Sequence, residues 1–240
     1  MTIQEILNQT AHRPWALPTG RWRYYQEWNK AIFLHWKVDS DELRKFVPEE
    51  MSIDVFEGQA WVSLVAFSME KIRPRNLPHF SPVSNFIEIN VRTYASYKQK
   101  PGVYFLSIEG GRRISCQLAK SLSQLPYRYS EMKKANNFYC SEHLQFGDKL
   151  EVNYTVGEKV ENKTSIDYWL TERYALFQES PGFISEFETH HIEWPIYEAQ
   201  IDKLELEYPR FGEMLNKQPD LVHYSPGVKV IAWDKKRHKR

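Results

Sequence analysis

KVDSDELRKFVPEEMSID, Lys37 to Asp54, reads as one short capped helix set between two strands. Asp39 or Ser40 supplies a side-chain oxygen for the free N–H groups of the first turn. Asp41 and Glu42 sit where the helix dipole favours negative charge, and Pro48 ends the turn. Outside this stretch the chain is dense in β-branched and aromatic residues. Candidate strands precede it at 32–38 and follow it at 51–58, 60–72, 85–96 and 102–110, then at 149–157, 165–178, 182–194 and 228–233. Gly, Pro and Asn separate several of them. Two further helices are expected, one over 116–123 and one in 197–215, where Pro209 interrupts it. An amphipathic start (Ile3, Ile6, Leu7) is broken by Pro14 and Pro18. The pattern predicts a mostly β fold with a few short helices, as a closed barrel or packed sheets.

With 240 residues, 42% hydrophobic and 15% aromatic, the chain can bury a sizeable core. No internal repeat, low-complexity segment or Gly/Ser linker interrupts it, which predicts a single domain over 1–240. Residues 1–20 would form an N-terminal arm and 234–240 a basic disordered tail. The net charge of +1 hides that tail: KKRHKR (Lys235–Arg240) carries five Lys/Arg, so the remainder is net acidic. A nucleic-acid partner calls for a basic face and is not expected.

No apolar run nears the ~18 residues of a membrane span, and the first residues lack a secretory signal's apolar region. Without an export signal the sequons at Asn8, Asn153 and Asn162 carry little weight. Cys116 and Cys140 cannot build a multi-bridge framework. A reduced, cytoplasmic protein is expected, without a membrane partner; a homo-oligomer stays compatible with the sequence.

The informative strand is 85–96. Its period of two puts Phe86, Glu88, Asn90, Arg92 and Tyr94 on one face, and Ile87, Ile89, Val91 and Thr93 on the other. The second face is core. The first is either washed by solvent or lines a cleft where Glu88, Asn90 and Arg92 form a polar ladder. Glu172 and Arg173 in LTERY (170–174) alternate likewise, and a buried charge needs a partner. An Arg92–Glu172 or Glu88–Arg173 pair is the structural alternative to a ligand site. ETHHIEW (188–194) sets His191 and Glu193 on one face and His190 on the other, without the further ligands zinc requires. No G-x-S-x-G, P-loop, H-E-x-x-H or G-x-G-x-x-G occurs, and EGGRR (109–113) reads as a turn or bulge. Neither metal nor cofactor is expected.

The order of these pieces resembles the acetoacetate decarboxylase superfamily. VDSDELRKFVPEEMSID (38–54) is similar to its helix, NFIE (85–88) falls at the strand bearing its active-site glutamate, and VYFLSIE (103–109) resembles the next strand. LPYR (125–128) falls where those enzymes have Phe/Tyr-Pro-Lys-Lys. Within that superfamily the chain is similar to the YqjF-like family of bacterial proteins from about Trp22 to Trp233. WNKAIFLHW (28–36), FEGQAWVSLVAFSM (56–69), INVRTY (89–94), PGVYFLSI (101–108), LPYRYSEM (125–132) and LTERY carry that likeness.

The resemblance implies a β-barrel with a surrounding β-layer and a ligand pocket inside. It also marks a departure. The decarboxylase works through a Schiff-base lysine, and the two lysine positions are here Tyr127 and Arg128. Arginine stays protonated and forms no imine, so decarboxylation of acetoacetate is not expected.

What remains is a small-molecule pocket for an organic acid or similar polar ligand, whether an enzyme by general acid–base catalysis or only a binder. Glu88 and Tyr127 are the catalytic candidates. Arg128 and Arg92 would hold the anion, with Asn90, Tyr104 and Arg173 as further ligand contacts. Arg128 is expected to point into the pocket within reach of Glu88, and Arg92 to be held by a neighbouring carboxylate. Two alternatives stand beside this: a lyase or aldolase using a displaced lysine such as Lys120 or Lys133, and a non-catalytic structural or interaction protein. The latter would consume Arg92 and Arg173 in internal ion pairs.

Overall fold

The computed structural model describes residues 1–240. In chain order the elements are α1 (Ile3–Asn8), β1 (Tyr24–Val38), α2 (Ser40–Arg44), β2 (Ser52–Ile53), β3 (Ala60–Pro74), α3 (Ser81–Ser84), β4 (Phe86–Tyr97), β5 (Lys100–Gly110), α4 (Arg113–Ser123) and β6 (Tyr127–Tyr129). They continue with β7 (Glu131–Ala135), β8 (Phe138–His143), β9 (Asp148–Lys159), α5 (Ser165–Thr171), β10 (Ala175–Ser180), β11 (Phe183–His190), β12 (Tyr197–Glu207), α6 (Gly212–Leu215), β13 (Leu221–Ala232) and β14 (Lys236–Lys239). The protein is mostly β with short helices.

The strands form one sheet in the order β14-β11-β10-β5-β4-β3-β1-β13-β12-β9-β8-β7. β11 also pairs with β13 at Thr189–Ala232 and His190–Ile231, so the path from β11 round to β13 returns on itself and is ring-like. β10 joins β5 in parallel. That junction is tight: a Cβ on Gly102 would lie 2.5 Å from the Ala175 carbonyl oxygen.

The period-2 pattern then sorts side chains into two cores. Ile32, Leu34 and Trp36 of β1, Leu64 and Ala66 of β3, and Ile89 and Val91 of β4 point outward. They meet Tyr139, Leu150, Val152 and Tyr154 of the outer strands β8 and β9. Ala31, Phe33, Val65, Phe67, Met69 and Phe86 form the opposite core with Trp194 and Val230.

The helix that opened the sequence reading is α2. Asp39 Oδ1 accepts from the amides of Asp41 (2.9 Å) and Glu42 (3.0 Å), and the helix drops Leu43 into the outer core beside Phe211 and Met214. It joins β1 to β2 and covers one end of the outer layer.

Three expectations need correction. Residues 165–171 are helix, not strand: the Asp167 carboxylate accepts from the Thr164 amide and hydroxyl, both at 2.7 Å, and so fixes the first turn of α5. Residues 197–207 are strand, not helix. Lys203–Glu151 (2.8 Å) and Lys149–Glu205 (3.2 Å) pair across β12 and β9, and only Gly212–Leu215 keeps an α-helical turn. The basic end is not a frayed tail, because β14 pairs with β11 and brings Lys236 to Glu188 (3.2 Å) and His238 to Glu186 (2.7 Å). No helix is long and apolar enough to cross a membrane.

Candidate functional site

Inside the ring lies a cavity of about 400 Å³ with mostly apolar walls. β4 supplies its polar floor. Because alternate residues share a face, Glu88, Asn90 and Arg92 all line the cavity, while Ile89 and Val91 face the outer core. Tyr127 of β6, Arg173 and His191 enter from other walls. Trp28, Phe33 and Trp194 supply apolar surface, and Ala119, Leu122 and Leu125 in and just after α4 cover one side.

Glu88 is 3% exposed and its carboxylate has two donors. Tyr127 Oη donates to Oε2 at 2.7 Å and Asn90 Nδ2 to Oε1 at 3.2 Å. Burial penalises the charged form more than these bonds favour it, so the pKa is pushed up to about 7. The same burial, with Glu88 beside it, drives the Tyr127 phenol well above its ordinary range, leaving it a neutral donor. Asn90 Oδ1 has no partner. A half-turn of this amide would offer that oxygen to a protonated Oε1, so the trio can accommodate either protonation state of Glu88. A carboxyl poised near neutrality in a largely apolar cavity can both give and take a proton.

The two cavity arginines are only partly satisfied. Arg92 Nη2 donates to the Leu170 carbonyl (3.3 Å) and the guanidinium lies near the rings of Phe33 and Tyr94; no carboxylate pairs with it, and Nε has no acceptor. Arg173 is held by Asp54 (2.6 Å) and by the Trp169 carbonyl (2.6 Å), yet its Nη2 is unpartnered. Neither expected cross-pair forms. Glu172 instead engages Lys163 (3.0 Å), the Tyr174 hydroxyl (2.8 Å) and the Trp194 amide (2.9 Å).

Two nominated residues lie elsewhere. Arg128 neighbours Tyr127 in an extended strand, so the two project to opposite faces. Its Nη2 sits 2.8 Å from Asp148 and 3.2 Å from the fully buried Glu109, and the guanidinium packs over Phe146. Arg128 is therefore the counter-ion of an acidic pair and not a neighbour of Glu88. Tyr104 belongs to the outer core, where its hydroxyl donates to Glu179 (3.3 Å), while Val103 and Phe105 on either side line the cavity. Lys120 and Lys133 are exposed and outside the lining; Lys235 is the lysine that lines the cavity. His191 went unrecognised as a pocket residue because HHIE was weighed only for metal. Its place follows from a chain path that no local pattern encodes.

Residues 25–229 match the sequence profile of the DUF2071 family, described as an uncharacterized conserved protein. The chain belongs to the DUF2071 family. It is 32% identical to the uncharacterized protein YqjF of Bacillus subtilis (strain 168) over 226 residues, covering 91% of this chain and 93% of that one. Among solved structures, acetoacetate decarboxylase from Legionella pneumophila superposes with a TM-score of 0.64 at 14% identity, covering 97% of this chain and 94% of that one. The enduracididine biosynthesis enzyme MppR complexed with pyruvate gives a TM-score of 0.64 at 11% identity, covering 93% of each chain. These superpositions show that this DUF2071 member has an acetoacetate decarboxylase-like fold.

Proposed function

We propose that this protein binds a small organic acid inside the ring of strands, read as a closed barrel with the outer strands as its surrounding layer. Arg92 and Arg173 hold the carboxylate, and Glu88 with Tyr127 acts on the bound acid as a general acid–base pair. The observation carrying this reading is that two guanidinium groups line one largely apolar cavity and that Arg92 is paired with no carboxylate, only with the Leu170 carbonyl. A guanidinium held away from bulk water without a carboxylate is costly, and a bound acid supplies the fork-shaped partner that offsets this cost. The fold neighbour complexed with pyruvate supports the choice of an acid. Two free cysteines fit a reducing cytoplasm.

A thermal-shift panel of small carboxylates and keto acids tests the reading. Ligand at 100 times its Kd adds about 2.7 kcal/mol of stability. The shift should appear in the wild type and vanish in Arg92→Gln. No shift with any acid overturns the proposal.

The lysine-based alternative now rests on Lys235, whose amine burial and the nearby Arg237 make less basic. Borohydride treatment with a keto acid would trap its imine as a mass increase, and an unmodified chain removes this second reading. The interaction-protein alternative required both arginines in ion pairs, and Arg92 has none.

A further inference from the structure

We propose that His223 and His35 are positioning residues for the acid site: a buried chain of hydrogen bonds through them keeps the Leu170 carbonyl occupied and so frees Arg92 for the acid. The inference rests on the organic-acid reading above and adds residues that act on Arg92 from behind the cavity wall.

The chain runs from one acceptor to another. Tyr94 Oη lies 3.0 Å from the Leu170 carbonyl oxygen and 2.7 Å from Ser63 Oγ. Ser63 Oγ lies 2.7 Å from His35 Nδ1, and His35 Nε2 lies 3.1 Å from His223 Nδ1. His223 Nε2 ends the chain 2.9 Å from Asp167 Oδ1. Tyr94, Ser63 and His35 are fully buried, so bulk water does not complete these bonds. The same Leu170 carbonyl is the acceptor for Arg92 Nη2 at 3.3 Å.

Counting protons sets the direction of the chain. Its five contacts need five protons, since an empty one would leave lone pair facing lone pair. The carbonyl and the carboxylate only accept, and one tyrosine, one serine and two neutral imidazoles bring four. A filled chain therefore carries an extra proton on one ring. Burial, with His223 and Arg92 nearby, holds His35 well below the usual imidazole range. His223 instead touches the Asp167 carboxylate and has Glu198 opposite it in the β12–β13 register, so the charge sits on His223. Every proton then points toward Leu170: His223 donates to His35 Nε2, His35 Nδ1 to Ser63, Ser63 to Tyr94, and Tyr94 to the carbonyl. A neutral group at 223 reverses the run. Asp167 keeps its charge-assisted donor, His35 donates from Nε2, Ser63 donates to His35 Nδ1, and Tyr94 donates to Ser63. The carbonyl then loses the Tyr94 proton, and Arg92 is left as its donor, drawn away from the acid.

Nitrogen-15 NMR of the histidine rings in the full chain, at about pH 6 and without ligand, tests the chain. In the wild type the His35 proton should be on Nδ1 and His223 should carry two. In His223→Gln, whose amide donates to Asp167 and accepts from His35, the His35 proton should move to Nε2. Calorimetric titration with the small carboxylate or keto acid that gives the largest thermal shift tests the consequence. His223→Gln and Tyr94→Phe should each weaken binding on the order of tenfold, and the double variant no further, because both leave the carbonyl to Arg92. A His35 proton on the same nitrogen in wild type and His223→Gln overturns the inference, as does unchanged affinity in Tyr94→Phe. Absence of binding by every acid overturns the organic-acid reading itself, whatever the ring protons show.

Discussion

Replacing Glu88 by Gln should stabilise the protein, and only above acidic pH. Glu88 titrates near 4.5 when exposed in the unfolded chain and near 7 when buried in the fold. Between those values the folded state keeps a proton that the unfolded state has lost, so stability falls as pH rises through this window. The difference of about 2.5 pH units corresponds to about 3 kcal/mol, fully developed above pH 7 and absent below pH 4.5. Gln keeps an acceptor for the Tyr127 hydroxyl and an amide for Asn90, and it carries no charge to desolvate. Urea unfolding of both proteins at intervals from pH 4 to 8.5 reads the effect directly, because every other group titrates alike in the pair. The variant should match the wild type near pH 4 and exceed it by about 3 kcal/mol at pH 8, a midpoint shift of roughly 1 M urea. A difference that stays flat across that range would refute the reasoning, since Glu88 would then have an ordinary carboxylate pKa and no standing as a neutral-pH acid–base group.

The arginines separate binding from stability. Arg92→Ala should weaken acid binding by about tenfold or more in a calorimetric titration. Arg128→Ala should leave binding unchanged and cost roughly 3 kcal/mol in urea unfolding, because Glu109 and Asp148 lose their cation. The opposite pairing of effects would restore Arg128 to the site. Gly102→Ala forces a Cβ against the Ala175 backbone and should cost about 1–3 kcal/mol by parting β5 from β10; an unchanged midpoint counts against the tight junction. Asp167 is held down to about 2, chiefly by the His223 hydrogen bond (2.9 Å). Its pKa is depressed, so its stabilisation is present above about pH 4 and lost as pH falls toward 2. Asp167→Asn should cost about 1–2 kcal/mol at pH 7, allowing for solvent screening, with the gap to wild type closing on acidification.

The sequence made the frame legible where local chemistry and tertiary demand agree. Asp39 caps α2, and the alternation of β4 set Glu88, Asn90 and Arg92 on one face against Ile87, Ile89 and Val91 on the other. It misled where two local signals compete. SIDYWLTERY is aromatic enough for a strand, but the Thr164–Asp167 cap decides for helix. IDKLELE has the charges of a helix surface, yet cross-strand ion pairs and apolar Leu204 and Leu206 on the core suit a strand.

The site was legible on a single strand and not between strands. Tyr127 and Arg128 cannot both face the cavity from an extended backbone, and only the fold selects Tyr127. Which arginine lacks a carboxylate is likewise a tertiary fact, fixed by Asp148 and Glu109 meeting Arg128 and by Asp54 meeting Arg173. Neither pairing leaves a trace in sequence spacing.

The central claim is that an organic acid sits in this cavity with its carboxylate on the paired arginines. A crystal structure of the protein soaked with the small carboxylate or keto acid that gives the largest thermal shift tests it most directly. The account predicts the carboxylate oxygens within about 2.7–3.2 Å of Arg92 and Arg173 nitrogens, with the apolar part of the acid toward Trp28 and Trp194. Density for the acid outside the ring of strands, or a cavity holding only water at saturating ligand, would contradict it.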